Sequence, residues 1–313
     1  MPKRTIIFLV GPTATGKSET AVYLAKKINA EIISCDSMQV YKGMDTITSQ
    51  PAQSLRKKVR HHLIGVIAPT KDYNAARYRR EALKKMKEII NRGKAPLFVG
   101  GTGLYASVLI DGIFQAEAAD VNIRKRLYDE AGRAGSIYLY KRLQAVDPEA
   151  ASKIHPHDTR RIIRALEVFL VAGRRISQLQ KERKGLADEY RVRIFCLTMG
   201  RSRLYRRIEK RADKMFRRGI IREAKQLLKL DLSSTASCAI GIKELKGYFS
   251  GLYDLREARR LIKQKTRNYA KRQLTWFRKD KRIEWMELKA GETAAAVANR
   301  IFRKIKAKQD SYV

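Results

Sequence analysis

Acidic residues are scarce in this chain. Asp and Glu number 31 against 68 Lys and Arg, leaving a formal charge of +37 on 313 residues. So large a charge repels itself in a compact state and points to a polyanionic partner, with a generally basic proteome as the bland alternative. Cysteine is scarce as well: Cys35, Cys196 and Cys238 lie far apart with no C-x-x-C pair, which argues against a zinc site of the usual spacing and fits a reducing cytosol. Histidine is too sparse for a metal centre. His61-His62 and His155-Pro-His157 lack a third plausible ligand, so loop or core roles suit them better. No apolar run approaches the length of a membrane span. The run after MPKR is too short for a signal-peptide core and leads straight into a glycine loop, so it reads as a first strand. These absences together imply a soluble cytoplasmic protein. Neither a helix-turn-helix nor a zinc-finger pattern is present, which favours RNA over DNA as the polyanion.

What is present is a phosphate cradle. GPTATGKS, comprising Gly11, Pro12, Thr13, Ala14, Thr15, Gly16, Lys17 and Ser18, matches G-x-x-x-x-G-K-[ST] at every fixed position. The loop would fold its N–H groups around phosphate oxygens at a helix N-terminus, with Lys17 as a point charge and Ser18 placed to hold Mg²⁺. Most chains carrying this loop are nucleotide-binding, ATP-binding proteins. An NTPase should also place a carboxylate at the end of a second apolar strand, yet APLFVGGTG ends in glycines and Thr102. The best available acid is Asp36, ending EIISCD. From its position alone it could be a metal ligand, a general base or a turn residue. GGTGLY, residues 100 to 105, reads equally as a tight strand-to-helix turn or as space cleared for a ligand with the Thr102 hydroxyl aimed at it.

Periodicity places these stretches. TIIFLV, EIISCD, HHLIGVI and APLFVGG read as buried strands, alternating with the helices SETAVYLAKKI and YNAARYRREALKKMKEIINRG. That pattern predicts an α/β fold, a P-loop NTPase-like parallel sheet core with an inserted all-helical subdomain. Ligands should sit beyond the carboxyl ends of the strands, where GPTATGKS, DSMQVY and GGTGLY would line one crevice. Residues 1–115 and 190–313 form the predicted core, the latter starting with the strand RVRIFCLTMG and continuing as a basic, mostly helical part. Residues 116–189 form the insert, read as VNIRKRLYDEAGR, SIYLYKRLQAVD, DTRRIIRALEVFLVAG and ISQLQKERK and lying over the crevice. Residues 256–282 carry 12 Lys or Arg against two acids with Tyr269, Trp276 and Phe277 interleaved, and residues 201–225 carry 11 against three. A solvated helix face is the ordinary reading of such runs, but the missing acids and interleaved aromatics suit phosphate binding and base stacking. Arg160 and Arg164 share a helix face in the insert. Arg211 lies beside the apolar stripe of Leu204, Ile208 and Met215, where capping or ion pairing is the commoner role.

With GPTATGKS, DSMQVYKGMD, GGTGLY, HDTRRIIRALEV, AIGIKE and KRQLTWFRKD in this order, the chain resembles the tRNA dimethylallyltransferases (tRNA isopentenyltransferases, IPP transferases) from the first strand to about residue 282. The resemblance implies transfer of a dimethylallyl group from dimethylallyl diphosphate to N6 of adenosine 37 in tRNAs reading codons that begin with U. The products are N6-(dimethylallyl)adenosine and diphosphate. The loop would then hold the donor's diphosphate with Mg²⁺ at Ser18, and no nucleoside triphosphate need be consumed. It further implies Asp36 as general base, Thr102 as the hydroxyl holding the reacting end, and Arg211 on the diphosphate together with the N–H groups of residues 13 to 18. Contacts to the tRNA anticodon stem-loop carry over to Asp36, Ser37, Met38 and Gln39, to Arg160, Arg161, Ile162, Ile163 and Arg164, and to Cys238, Ala239, Ile240, Gly241, Ile242 and Lys243. They carry over also to Lys271, Arg272, Gln273, Leu274, Thr275, Trp276, Phe277 and Arg278. A monomer is expected. The chain departs from the family's common pattern at Thr46, Ile47 and Gln50 (DTITSQP for DIGTAKP), at Gly65 (HHLIGV for HHLIDV) and at Ile242 (AIGIKE for AIGYKE).

Overall fold

Apolar runs too short for core helices become strands here. The computed structural model describes residues 3–114 and 120–307. In chain order it opens with β1 (Thr5–Val10), α1 (Lys17–Lys27), β2 (Ala30–Ser34), a one-turn α2 (Gln53–Arg56), β3 (His61–His62), α3 (Ala75–Asn91), β4 (Ala95–Gly100) and α4 (Gly103–Ile110). Five helices follow: α5 (Val121–Val146), α6 (Pro148–Ala151), α7 (Thr159–Ala172), α8 (Ile176–Lys181) and α9 (Leu186–Glu189). The chain closes with β5 (Arg191–Thr198), α10 (Arg201–Arg217), α11 (Ile220–Leu227), α12 (Ile242–Phe249), α13 (Leu255–Phe277), β6 (Ile283–Glu287) and α14 (Ala294–Ala307).

The strands form one six-stranded sheet in the order β3-β2-β4-β1-β5-β6, and every pairing is parallel. An all-parallel sheet needs cover on both faces, which explains why β1 and β4 are buried almost end to end. The pleat sends alternate residues to opposite faces. Ile7, Leu9, Leu97 and Val99 join one cluster with Leu24 of α1 and Ile301 of α14. Ile6, Phe8 and Phe98 are buried on the other face, where Phe8 and Phe98 stack with centroids 4.6 Å apart. The central strand β1 lies between β4 and β5. Its carboxyl end therefore opens beside the loops of both neighbours, a crevice typical of open parallel sheets.

By packing, the chain divides into Met1–Ile110 with Glu189–Val313, which contains the whole sheet, and the helical unit Asp111–Asp188. The boundary at residues 115–116 read from the sequence lies outside the described residues. The helical unit has its own core of Leu127, Leu139, Leu143, Ile162, Ile163 and Leu166. Its polar interior is satisfied internally: the buried Asp147 carboxylate accepts from the Ala150 and Ser177 N–H groups at 3.0 Å, and buried Glu167 receives Arg124 and Arg164. VNIRKRLYDEAGR and SIYLYKRLQAVD are two helices, as the sequence presents them, meeting without a loop inside α5 at Gly135, whose φ of 80° only glycine adopts freely.

Two strand readings are corrected. HHLIGVI supplies only the two-residue β3 and a single bridge from Ile67 to Tyr41. The intervening chain turns away at Leu63 and Gly65, both with positive φ. IEWME, inside a part that reads as mostly helical, forms edge strand β6 instead. Ile283 and Met286 are buried, and its pairing with β5 is decided by contacts far away in sequence.

Candidate active site

The phosphate loop leaves β1 at Val10 and enters α1 at Lys17. Gly16 has φ of 90° and caps α1 without a side-chain hydrogen bond. The first N–H groups of the helix consequently point into the loop with no cap of their own, which is what an anion site requires. The Thr15 hydroxyl donates to the Pro12 carbonyl at 2.9 Å, and Lys17 Nζ donates to the same carbonyl at 2.8 Å. Burial drags the Lys17 ammonium down to about 8, the adjacent Arg211 charge adds to that, and Asp36 pulls in the opposite direction.

Arg211, on α10, reaches this loop. Nη1 donates to Thr13 Oγ1 at 2.8 Å and Nε donates to Ser49 Oγ at 3.0 Å. The capping or ion-pairing role that its position beside an apolar stripe suggests is not what it adopts: it takes two neutral hydroxyls, leaving its charge uncompensated by a contacting carboxylate. Burial lowers its pKa, while Asp36 and Glu19 act to raise it. One turn earlier on the same helix, Arg207 brings Nη2 to 3.3 Å from where a Cβ on Gly16 would stand. Arg207 escaped sequence reading because nothing separates it there from the other cations of its run. The i, i+4 spacing from Arg211 was the available signal.

Asp36 follows β2. Its Oδ1 accepts from the Met38 N–H at 3.0 Å and the Gln39 N–H at 3.4 Å, so one carboxylate oxygen holds a turn, one of the readings its position allowed. Its charge is felt by Lys17, Arg211 and Tyr269. The carboxylate thus belongs to the same electrostatic cluster as the phosphate loop. Thr102, at the end of β4, locks to the Asp36 loop: its Oγ1 accepts from the Ser37 N–H at 3.0 Å and donates to Ser37 Oγ at 3.3 Å, and its own N–H donates to the Cys35 carbonyl at 3.2 Å. β4 adjoins β1, the place where an NTPase would carry its acid, and a hydroxyl stands there instead.

The glycines of GGTGLY make room for the protein itself. A methyl group on Gly101 would overlap the Gln273 carboxamide nitrogen, and one on Gly103 would overlap the Trp276 indole. Gln273 is buried. Its Oε1 accepts from the Thr13 N–H at 2.9 Å and its Nε2 donates to the Gly101 carbonyl at 2.8 Å. The Thr13 N–H is therefore already engaged, so of the amides at residues 13 to 18 those from Ala14 onward remain for an anion.

Of the residues that the resemblance assigns to tRNA, Arg160, Arg161, Lys243, Lys271, Arg272, Thr275, Trp276, Arg278 and Cys238 are exposed, and Ser37, Met38, Gln39, Arg164, Ile240 and Leu274 are partly so. Arg161 and Arg164 already pair with Asp158 and Glu167. Ile162, Ile163, Ala239, Gly241, Ile242, Gln273 and Phe277 are buried, because each falls on the inward face of its helix or turn. Their side chains build the scaffold and leave the surface to their neighbours. The departures from the common pattern are also absorbed inside the sheet-bearing unit. Glu223 accepts from the Thr46 and Ile47 N–H groups at 2.8 Å. Ile47 packs on Gly241 of AIGIKE, and Gln50 Nε2 donates to the Tyr41 carbonyl at 2.9 Å.

No group of three or more His, Cys, Asp or Glu could hold a metal among the described residues. Ser18, half-buried in the first turn of α1, offers a single hydroxyl. That donor set fits a Mg²⁺ ion held largely by phosphate oxygens and water, and it does not fit a protein-caged cation. No helix is long and apolar enough to cross a membrane among the described residues.

A parallel sheet with the GPTATGKS loop after its central strand, and Thr102 rather than an acid after the neighbouring β4, defines an α/β protein of the P-loop-like kind. Residues 39–280 match the model of the family described as IPP transferase, and the chain belongs to that family. It is 46% identical over 285 residues to a Thermotoga maritima protein named tRNA dimethylallyltransferase, covering 90% of this chain and 92% of that one. The full-length tRNA isopentenylpyrophosphate transferase of Bacillus halodurans superposes with a TM-score of 0.72 at 36% identity, over 99% of both chains. A eukaryotic dimethylallyltransferase captured acting on tRNA superposes with a TM-score of 0.77 at 28% identity, over 91% of this chain and 74% of that one.

Proposed function

We propose that the protein is a tRNA dimethylallyltransferase, moving the dimethylallyl group of dimethylallyl diphosphate to N6 of adenosine 37 as a cytoplasmic monomer. The observation that carries the reading is the lacing of the Asp36 loop to the Thr102 loop beside the phosphate loop, with no acid at the end of β4. That lacing supports a reading in which donor and acceptor sites adjoin, and hydrolysis of a triphosphate lacks its usual carboxylate.

In the reaction the N6 lone pair attacks the allylic carbon, the carbon–oxygen bond breaks, diphosphate departs, and the N6 proton passes to Asp36. An exocyclic amine conjugated with a purine is a poor nucleophile, so accepting its proton during attack lowers the barrier. Negative charge grows on the leaving diphosphate. The N–H groups from Ala14 onward, Lys17 and Arg211 stabilise it in a site poor in water. The Ser18 hydroxyl would hold a Mg²⁺ ion, which would supply further neutralisation of the diphosphate charge. The Thr102 hydroxyl holds the reacting end in place. The target base must leave the anticodon-loop stack, at a cost of roughly a few kcal/mol, which the exposed cations of α13 and the helical insert offset by gripping the stem-loop backbone.

The test is incubation with Mg²⁺, labelled dimethylallyl diphosphate, and either an anticodon stem-loop carrying A36-A37-A38 or AMP. Label in the stem-loop supports the reading. Label in AMP alone would instead establish transfer to free nucleotides, and label in neither would remove prenyl transfer altogether.

A further inference from the structure

The residue that ties the two halves of the site together is Gln273, and its chemistry is not that of an RNA contact. It lies on α13, whose neighbouring Lys271 and Arg272 face solvent, but its own side chain is buried with 5% exposure. A carboxamide has one acceptor and one donor end. Here the acceptor end takes the Thr13 N–H of the phosphate loop and the donor end serves the Gly101 carbonyl, next to Thr102. The two loops leave neighbouring strands, β1 and β4, whose pairing ends at Val10 and Gly100, and Gln273 bridges them beyond that last pair. The fit is tight: Gly101 has no room for a methyl group because the Gln273 nitrogen occupies that space. Tyr269 lies one turn earlier on α13, and the Asp36 charge acts on it.

We propose that Gln273 is a positioning residue for prenyl transfer: by spanning the Thr13 N–H and the Gly101 carbonyl it sets the spacing between the leaving-group cradle and the Thr102 loop. The proposal rests on the prenyl-transfer reading above. Reactions between two bound partners are sensitive to placement, and a displacement near 1 Å costs about 10²-fold in rate. The orientation also matters. Only a side chain with both an acceptor and a donor reproduces the bridge, and glutamine and protonated glutamic acid have nearly the same shape.

The experiment compares Gln273→Glu and Gln273→Met with the unsubstituted protein. Three quantities are measured from pH 5.5 to 9: single-turnover transfer at saturating stem-loop and donor, stem-loop affinity, and inorganic pyrophosphate affinity by calorimetry. The expected result is a transfer deficit of about 10²-fold for both variants at pH 8, with stem-loop affinity within about twofold of the unsubstituted protein. Relative to that protein, Gln273→Glu regains rate and pyrophosphate affinity as the pH falls and its carboxyl takes up the proton that donates to Gly101. Gln273→Met, of similar volume, does not recover. A pH-independent deficit in Gln273→Glu, full transfer by Gln273→Met, or a loss confined to stem-loop affinity would each overturn the positioning role. If the unsubstituted protein transfers no prenyl group, the prenyl-transfer reading fails by itself, and the acid recovery of pyrophosphate affinity in Gln273→Glu still decides whether the bridge positions the phosphate loop.

Discussion

Arg211 Nη1 donates to the Thr13 hydroxyl at 2.8 Å across a sequence separation of 198 residues, while its Nε holds Ser49. A planar fork reaches the two hydroxyls from two different nitrogens, Nε and Nη1, whereas an ammonium must donate from a single atom. Replacement by lysine should therefore fail almost as badly as truncation. Arg211→Lys and Arg211→Ala are each expected to lower kcat/KM for the prenyl donor by about 10²- to 10³-fold, the scale seen when one donor to a developing negative charge is lost. Steady-state kinetics with varied donor checks this. A lysine variant within threefold of the unsubstituted protein would show that charge alone suffices.

Asp36 carries two roles that a single substitution can separate. Its Oδ1 organises the turn through Met38 and Gln39, and asparagine keeps that acceptor while losing basicity. Asp36→Asn should fold normally and still bind pyrophosphate, yet slow single-turnover transfer by about 10²-fold or more, the range of a general base. Asp36→Ala should show the same loss together with weaker stem-loop binding, because the turn is also released. Rapid-quench measurement of the chemical step decides it. Near-normal transfer by the asparagine variant would leave Asp36 only its turn.

Burial holds Lys17 at about 8 against 10.5 for a free lysine. Below pH 8 the native side chain is charged and attracts diphosphate; above it the proton is lost and that attraction fades. Pyrophosphate affinity should therefore decline as pH rises through about 8, with proton uptake on binding that grows over the same range. Calorimetry in buffers of different ionisation enthalpy reads the proton count directly. The same shift has a consequence for stability. Between pH 8 and 10.5 the unfolded chain binds a proton that the native state does not, so this residue's contribution to stability rises with pH across that window. In Lys17→Met both effects should disappear.

Glu31 lies at the opposite end of β2 from the site, and its buried carboxylate accepts from His62 Nε2 and Arg92 at 2.7 Å and Lys94 at 3.2 Å. Hydrogen bonds from these three partners hold its pKa near 2 against the desolvation that opposes it. Its contribution to stability is thus complete above pH 4.5 and is lost as the pH falls through about 2. Glu31→Gln leaves the buried His62 and the partly exposed Arg92 and Lys94 without their charged acceptor and should cost about 3 kcal/mol at pH 7, with the difference from the unsubstituted protein narrowing in acid. Denaturant titrations at pH 7 and pH 3 measure it. Pyrophosphate affinity should stay unchanged.

The phosphate loop, the strand–helix alternation and the positions of Asp36 and Thr102 were legible because their causes are local. Glycine spacing, an apolar run of one strand's length and the residue at its carboxyl end are all properties of a few neighbours. Less was legible where a residue's surroundings come from distant chain. β6 read as part of a helical stretch because five residues of pairing partner lie in β5. The resemblance gave Gln273, Phe277 and Ile162 the same standing as Lys271, although only the helix face they occupy separates buried from exposed.

Net charge, the phosphate loop and the order of motifs are set by the one-dimensional chain, since backbone freedom at glycine and the count of cations do not depend on how the strands are arranged. The tertiary structure decided which polar groups meet. Strand order set a hydroxyl loop beside β1 in place of an acid, α10 aimed Arg211 at two hydroxyls, and α13 turned one carboxamide inward between two loops. Hydrogen bonds act only within about 3 Å, and nothing short of the packed fold brings donors and acceptors that far apart in sequence to such a separation.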